Sequence, residues 1–194
     1  AISVITRQPG NQFEGRVGGS YAGPDEAWNV FGAVSGPIID DRLQVGVSAS
    51  HRQHDGFIPN GLLGTNANPL NMDTINATIR AVPADGVVLT VNGYYDWVKG
   101  GNIPYSHVDG PTDYSRDVFL SAKNIQHFEY KGLNGKLQFE IPGINTDVVL
   151  IGAYDQRDGR NPDLDIDFNA VDIARQATED KLKTTSAELP FDSK

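Results

Sequence analysis

Apolar and polar residues alternate with a period of two along most of the chain. From residue 13 to residue 21 the odd positions are aromatic, valine or glycine, and the even positions are charged, serine or glycine. Because successive side chains of a β-strand point to opposite faces, this pattern predicts strands with one apolar and one polar face. The alternation predicts about eight strands, at residues 13–21, 28–36, 43–49, 75–81, 87–97, 125–141, 148–154 and 185–191.

Short and long connections alternate between these predicted strands. The short ones are turns rich in Asp, Gly, Pro and Asn, at residues 39–42, 83–86 and 142–145. The long ones cover residues 53–71, 100–123 and 158–181. In an up-and-down meander this order places every short turn at one end of the strands and every long loop at the other end, as in outer-membrane barrels. We call the end with the long loops the long-loop edge. Residues 171–183 have a composition that predicts one short helix inside the last loop.

The two faces of the predicted strands differ in chemistry. The aliphatic face is expected to carry Val17, Val30, Val45, Ile79 and Leu89. The polar face is expected to carry Arg16, Gln44, Arg80 and Asn92. Strands of about 9–11 residues suit a tilted crossing of a bilayer, so we expect the aliphatic face to contact lipid and the polar face to line a lumen. The alternative is a soluble barrel with its aliphatic face inside, and alternation alone does not separate the two.

Composition narrows the function classes. The chain has 16 Lys and Arg against 25 Asp and Glu, so its net charge is 16 − 25 = −9. This balance argues against a nucleic-acid partner, because phosphate binding needs clustered Lys and Arg, and against docking on an anionic membrane surface. The absence of Cys excludes disulfides, thiolate metal sites and Cys nucleophiles. No apolar run reaches the roughly 18 residues that a transmembrane helix needs.

Candidate chemistry in the sequence does not predict an enzyme. There is no Gly-x-Ser-x-Gly elbow, and Asp155 with Arg157 is expected to be a charge pair on the polar face. His51 and His54 with Asp55 are metal-ligating residue types, but two histidines three apart on a strand face opposite sides. We therefore expect no catalytic residue, no metal site and no cofactor.

An acidic segment near the end of the chain invites a calcium interpretation. Asp163, Asp165 and Asp167 resemble the opening of a calcium-binding loop. Phe168 stands where the loop needs Gly, and Ala174 stands where it needs a bidentate Glu. A solvated acidic loop is the expected structure.

Several motifs resemble a known family. Residues 1–9 read Ala-Ile-Ser-Val-Ile-Thr-Arg-Gln-Pro, and Phe-Glu-Gly at 13–15 opens the first strand. Residues 34–43 read Val-Ser-Gly-Pro-Ile-Ile-Asp-Asp-Arg-Leu, and residues 52–57 read Arg-Gln-His-Asp-Gly-Phe. In order, they resemble the end of the plug, the first barrel strand, a strand–turn–strand unit and a loop entry of TonB-dependent outer-membrane receptors. The resemblance is specific over residues 1–57 and looser afterwards, and Pro190 stands where the family's strand more often has Arg.

The resemblance implies the fold and the domains. The expected fold class is all-β: an antiparallel up-and-down transmembrane β-barrel segment, about eight strands of a larger plugged barrel, with short periplasmic turns and long extracellular loops. Residues 1–10 would be the end of the plug domain and a linker, and residues 11–194 the N-terminal part of the barrel. Both ends of the chain are strand-like. We therefore expect an internal segment of a longer protein, with a processed mature chain as the alternative.

The resemblance also implies function and partners. The chain would be part of a transporter in the bacterial outer membrane that takes up a scarce ligand, with a ferric siderophore expected. Its partners would be outer-membrane lipid and the TonB complex, which would bind through a region outside this chain. The alternative is a soluble or surface-exposed β-barrel module for binding or adhesion. Aromatic and cationic groups suit a flat anionic iron chelate, and the expected ligand-binding residues in the second long loop are Tyr105, His107, Tyr114 and Arg116.

Overall fold

The computed structural model describes residues 7–101, 110–111, 117–141 and 146–193. These residues are all-β. The strands are β1 (Glu14–Ala22), β2 (Ala27–Ile39), β3 (Leu43–His54), β4 (Pro59–Asn60), β5 (Thr65–Asn66), β6 (Leu70–Ala84), β7 (Val87–Gly101), β8 (Ile125–Ile141), β9 (Thr146–Asp165), β10 (Arg175–Glu188) and β11 (Phe191–Ser193). Within these ranges there is no helix long and apolar enough to span a membrane.

Eight of the strands form one antiparallel meander. Their order is β1-β2-β3-β6-β7-β8-β9-β10, so each long strand pairs with the next one along the chain. This confirms the up-and-down topology. The described strands form an open sheet, with β1 at one edge and β10 at the other, whereas β4 and β5 form a small separate hairpin.

The predicted strands are present, and several continue further than the alternation suggested. β8 covers Ile125–Ile141, as predicted, whereas β9 continues to Asp165 and β10 begins at Arg175. The last connection is therefore much shorter than residues 158–181, and the helix predicted at 171–183 is wrong. The physical reason is long-range pairing: Lys181 lies opposite Asp158 in β9, and the two side chains form an ion pair of 3.2 Å. Such cross-strand contacts override local helix propensity.

The turns and the break between β10 and β11 lie at residues whose backbone suits them. The β2–β3 turn has Asp41 at φ +58°, closed by a hydrogen bond of 3.1 Å from Arg42 N to Ile39 O. The β6–β7 turn has Gly86 at φ +75°. The turn predicted at 142–145 lies outside the described residues. Pro190 lies between β10 and β11, both of which pair with β9, because proline cannot donate a hydrogen bond to the ladder.

Two glycines in the strands leave room for aromatic rings. The Tyr94 ring of β7 lies over Gly132, and the Phe128 ring of β8 lies over Gly159 in β9. A methyl group at Gly159 would come within 2.9 Å of that ring. These glycines let aromatic side chains lie flat against the neighbouring strand.

The register confirms the two predicted faces. Val45 lies opposite Ile79, and Gln44 lies opposite Arg80, and directly opposed residues share a face of the sheet. The aliphatic side chains lie on what we call the apolar face and are open to solvent: Val17 is 89% exposed, Ile75 53% and Leu133 57%. The buried hydrophobic cluster lies elsewhere, in the loops beside the long-loop edge.

The apolar residues of this face form a band that slopes across the strands. In β1 the band reaches Tyr21, and the register leads from Tyr21 across the sheet to Glu179 in β10. In β10 the band ends at Ala187, which is 187 − 179 = 8 residues away. The opposite boundary shifts in the same direction, from Phe13 before β1 to Ile141 in β8. The band therefore keeps its width and moves by about one residue per strand.

Candidate functional site

A ladder of amides and hydroxyls crosses the polar face at its centre. Thr78 Oγ1 donates to Asn92 Oδ1 at 2.8 Å, and Asn92 Nδ2 donates to Asn134 Oδ1 at 2.9 Å. The three residues lie on β6, β7 and β8 and are directly opposed. The ladder fixes their orientation while leaving the face hydrophilic.

The chain segment before β1 folds back onto the polar face at its short-turn end. Asn11 Oδ1 accepts a 2.8 Å hydrogen bond from Gln44, whose own Oε1 accepts one of 2.9 Å from Arg80. Gln44 is only 1% exposed, and Pro9 is buried. Arg7 forms an ion pair with Glu14. This end of the polar face is therefore covered by residues 7–11.

A cavity of about 500 Å³ lies between this segment and the ladder. Its polar lining includes Arg7, Glu14, Arg16, Asn76, Thr78 and Tyr94. These groups can bind hydroxyls, amides and anions by hydrogen bonds. They do not form a nucleophile–base pair, so the cavity suits binding rather than covalent chemistry.

Aromatic and charged groups lie on the polar face towards the long-loop edge. The Tyr94 hydroxyl donates to Asp155 Oδ1 at 2.7 Å. The guanidinium carbon of Arg157 lies 5.7 Å from the centre of the Phe128 ring, and Arg157 Nε donates to Asp180 Oδ2 at 3.1 Å. The expected Asp155–Arg157 charge pair is thus replaced by two separate contacts with neighbouring strands.

Ordered loops form a compact unit at the long-loop edge, which we call the loop cap (residues 55–69, 117–124 and 166–174). Ala67, Val118 and Leu120 form its core, and Ile58 and Phe168 pack against them.

Backbone pairing ties the first two loops of the cap together. Asn60 is 2% exposed, and its Nδ2 donates to Leu120 O at 3.0 Å. Val118 N donates to Pro59 O at 2.9 Å, and Gly61 N donates to Val118 O at the same distance. Two loops that leave different pairs of strands are therefore joined by hydrogen bonds.

Asp165, the last residue of β9, is the buried polar residue around which the loop cap is built. It is completely buried, and its carboxylate accepts hydrogen bonds from Ser121 N and Oγ at 2.7 and 2.9 Å and from Phe168 N at 2.9 Å. Its own N donates to Asn124 Oδ1 at 2.7 Å. Burial disfavours the charged form of Asp165, but the hydrogen bonds from Ser121 and Phe168 outweigh burial and hold its pKa below the ordinary value.

Arg175 closes the loop cap from outside. Its Nη1 lies 2.7 Å from both carboxylate oxygens of Asp163, and its Nε donates to Asp172 at 2.9 Å. Its Nη2 donates to Ser121 O at 3.0 Å. The hydrogen bonds that Arg175 donates to Asp163 and Asp172 raise the pKa of Arg175 above its ordinary value. One guanidinium therefore joins the β9–β10 hairpin to the loop before β8.

The acidic segment is only in part the solvated loop that the sequence led us to expect, since the Asp163 side chain is 54% exposed and Asp165 is buried. Asp165 is buried, Asp163 binds Arg175, and Asp167 Oδ2 accepts from the backbone N of Ile173 and Ala174 at 3.1 and 2.8 Å. The three carboxylates are each turned towards different protein donors. No group of three or more metal-binding side chains occurs among the residues that the structure describes.

The remaining candidates are the histidines of β3 and the predicted ligand-binding residues. His51 Nδ1 lies 2.6 Å from Asp73 Oδ1, and its ring centre lies 4.6 Å from that of Trp28, whereas His54 faces the other side of β3. The ligand-binding residues predicted in the second long loop, Tyr105, His107, Tyr114 and Arg116, lie outside the described residues. Their contact with a ligand stays a prediction.

Sequence reasoning missed the centre of the loop cap. Ser121, Asn124 and Arg175 meet Asp165 and its neighbours only because distant strands pair. The available signal was the Asp-x-Asp-x-Asp spacing, which is typical of side chains that accept hydrogen bonds from nearby backbone N–H groups.

Comparison with known proteins adds no family assignment. No protein-family model matches the chain, and no curated protein matches it significantly. Function is therefore inferred from the two faces of the sheet and from the loop cap.

Proposed function

We propose that this chain is part of the wall of a TonB-dependent transporter in the bacterial outer membrane, which takes up a scarce ligand. A ferric siderophore is the expected ligand. One observation carries the proposal: an exposed apolar band of constant width on one face, opposite a hydrogen-bonded polar face.

Uncovered aliphatic side chains need an apolar environment. Burying one Val, Leu or Ile side chain is worth about 1.5–3 kcal/mol, and a band of this size left in water would be strongly unfavourable. In a soluble sandwich a second sheet would cover it. Lipid supplies the same cover in the proposed barrel.

The slope and width of the band agree with tilted membrane strands. A shift of about one residue per strand, with a rise of about 3.3 Å and a strand spacing of about 4.8 Å, corresponds to a tilt of about 35°, and transmembrane strands tilt by about 35–45°. In β8 the apolar positions run from Leu133 to Ile141. At this tilt they span about 22 Å, and outer-membrane barrels have an apolar band about 25 Å tall.

Ligand binding is assigned to the polar face and the long-loop edge. The cavity and the Tyr94–Asp155 and Arg157–Phe128 contacts supply hydrogen-bonding and aromatic groups, and the loop cap holds the loops in place. Tyr105, His107, Tyr114 and Arg116 are proposed to contact the ligand. Transport needs no covalent chemistry here, and energy would come from the TonB complex, which would bind through a region outside this chain.

Single cysteines test the proposal in the full-length protein, and this chain has no cysteine of its own. Ile79→Cys lies on the apolar face and Thr78→Cys on the polar face, one residue apart in β6. In cells, a water-soluble maleimide should label Thr78→Cys, and a lipid-soluble maleimide should label Ile79→Cys.

Equal labelling of both positions by the water-soluble reagent would contradict the membrane assignment and favour the soluble binding module. Uptake is tested separately, by growth of the deletion strain on ferric siderophores as the only iron source. Unchanged growth on every chelate would contradict the proposed ligand class.

A further inference from the structure

Three lysines project from the apolar face just beyond the apolar band. They are Lys131 in β8 and Lys181 and Lys183 in β10, and we call them the lysine patch. The register places Lys131 and Lys183 on either side of Gln156 in β9, and Lys181 opposite Asp158. The next residues of this face inward are Leu133 and Tyr154, which belong to the band.

The lysine patch has more positive than negative charge. Asp158 is shared by two ammonium groups, at 3.9 Å from Lys131 Nζ and 3.2 Å from Lys181 Nζ. The other carboxylates beside them on this face are Glu129, opposite Asp158, and Glu179, which forms an ion pair of 2.9 Å with Arg160. Three lysines and Arg160 against three acids give 4 − 3 = +1, in a chain whose net charge is −9.

The ammonium groups remain accessible from outside the sheet. The side chains of Lys131 and Lys181 are 45% and 56% exposed, and Lys183 is exposed as well. Tyr154 marks the boundary, with its ring in the band and its hydroxyl donating to Gln156 Oε1 at 3.1 Å. Tyrosines in this position are typical of a membrane–water interface.

We propose that the lysine patch binds the phosphate of an anionic lipid headgroup, while the acyl chains of that lipid lie along the band beside Leu133 and Leu150. The inference rests on the proposed membrane function. Ammonium groups at this depth attract anionic headgroups. Asp158 positions the ammonium groups of Lys131 and Lys181 on either side of one carboxylate, where both remain accessible to phosphate oxygens. The acidic net charge of the chain opposes docking as a peripheral protein, but it acts weakly on a wall already held in lipid.

The test uses the full-length protein in detergent, titrated with dihexanoyl phosphatidic acid, with the phosphatidylcholine of the same chains, and with inorganic phosphate. Native mass spectrometry reads the bound lipid. Phosphatidic acid should bind in preference to phosphatidylcholine. The affinity for phosphatidic acid should be lower by about 10-fold or more in the triple variant Lys131→Gln/Lys181→Gln/Lys183→Gln.

The matched control is Lys136→Gln, an exposed lysine of β8 on the polar face, which should bind phosphatidic acid as the wild type does. Wild-type affinity in the triple variant would overturn the inference. Inorganic phosphate binding as tightly as phosphatidic acid would also overturn it, because the site would then not be a lipid site. Cysteine labelling and iron uptake of the same variants show separately whether the proposed transporter function holds.

Discussion

Tyr94 on β7 reaches across β8 to Asp155 on β9, with its hydroxyl 2.7 Å from Asp155 Oδ1 and its ring over Gly132. The register places these three residues in one row. One side chain therefore links strands that do not pair with each other, and it does so because the middle strand has a glycine.

Gly132→Ala should break this link. The added methyl group would displace the Tyr94 ring, with an expected loss of about 1–3 kcal/mol of unfolding free energy from strain and the lost hydrogen bond. Urea unfolding of the full-length protein measures it. Gly152→Ala in β9 is the control, because a methyl group there has no atom within 4 Å. Equal stability of the two variants would contradict the proposed role of Gly132.

Asp165→Asn should loosen the loop cap. The amide cannot accept all the hydrogen bonds that the carboxylate takes from Ser121, Asp167 and Phe168, and each buried donor left without an acceptor costs about 1–3 kcal/mol. Limited proteolysis should therefore cut within residues 117–124 or 166–174. Asp85→Asn is the control, since the Asp85 side chain is fully exposed. Proteolysis at the wild-type rate in Asp165→Asn would show that the carboxylate is not needed.

The loop cap should open at acidic pH. The folded pKa of Asp165 lies below the ordinary value of about 3.9. Its ionised form therefore stabilises the cap above about pH 4, and this contribution is lost as the pH falls through the folded pKa. Hydrogen–deuterium exchange, corrected for intrinsic rates, should show that protection of the Ser121 and Phe168 amides falls as the pH drops below about 4, before that of Val91 in the sheet. Protection that falls first on the alkaline side would contradict this origin.

The two faces should tolerate arginine differently. Leu89→Arg places a charge in the apolar band, whereas Asn92→Arg places it on the polar face. A charge facing lipid near the middle of the bilayer costs about 2–4 kcal/mol, and one facing the lumen costs much less. The folded yield of the full-length protein in outer membranes should therefore drop far more for Leu89→Arg. Equal yields would argue against lipid contact.

The sheet was predictable because period-two alternation is a local signal. Val45 and Ile79 could be assigned to one face, and Gln44 and Arg80 to the other, before their partners were known. The limits of β8 were correct for the same reason.

The failures have a common physical cause, which is contact between segments distant in sequence. Residues 171–183 have helix-like composition, but pairing with β9 makes most of them a strand. Asp165 looked solvent-exposed because Ser121, which buries it, lies 165 − 121 = 44 residues earlier. Alternation carries no information about such partners.

The slope of the apolar band has a consequence for assembly. In a closed barrel of about 22 strands, a row of hydrogen-bonded partners followed around the wall would not return to the residue at which it began. It would reach the starting strand about 25 residues away from that residue. A one-residue slip between two neighbouring strands would change this offset, and the last strand would then not pair correctly with the first. A hydrogen bond that spans two strand pairings at once, such as the one from Tyr94 to Asp155, forms only when both pairings are in register. It would therefore select the correct register during barrel closure.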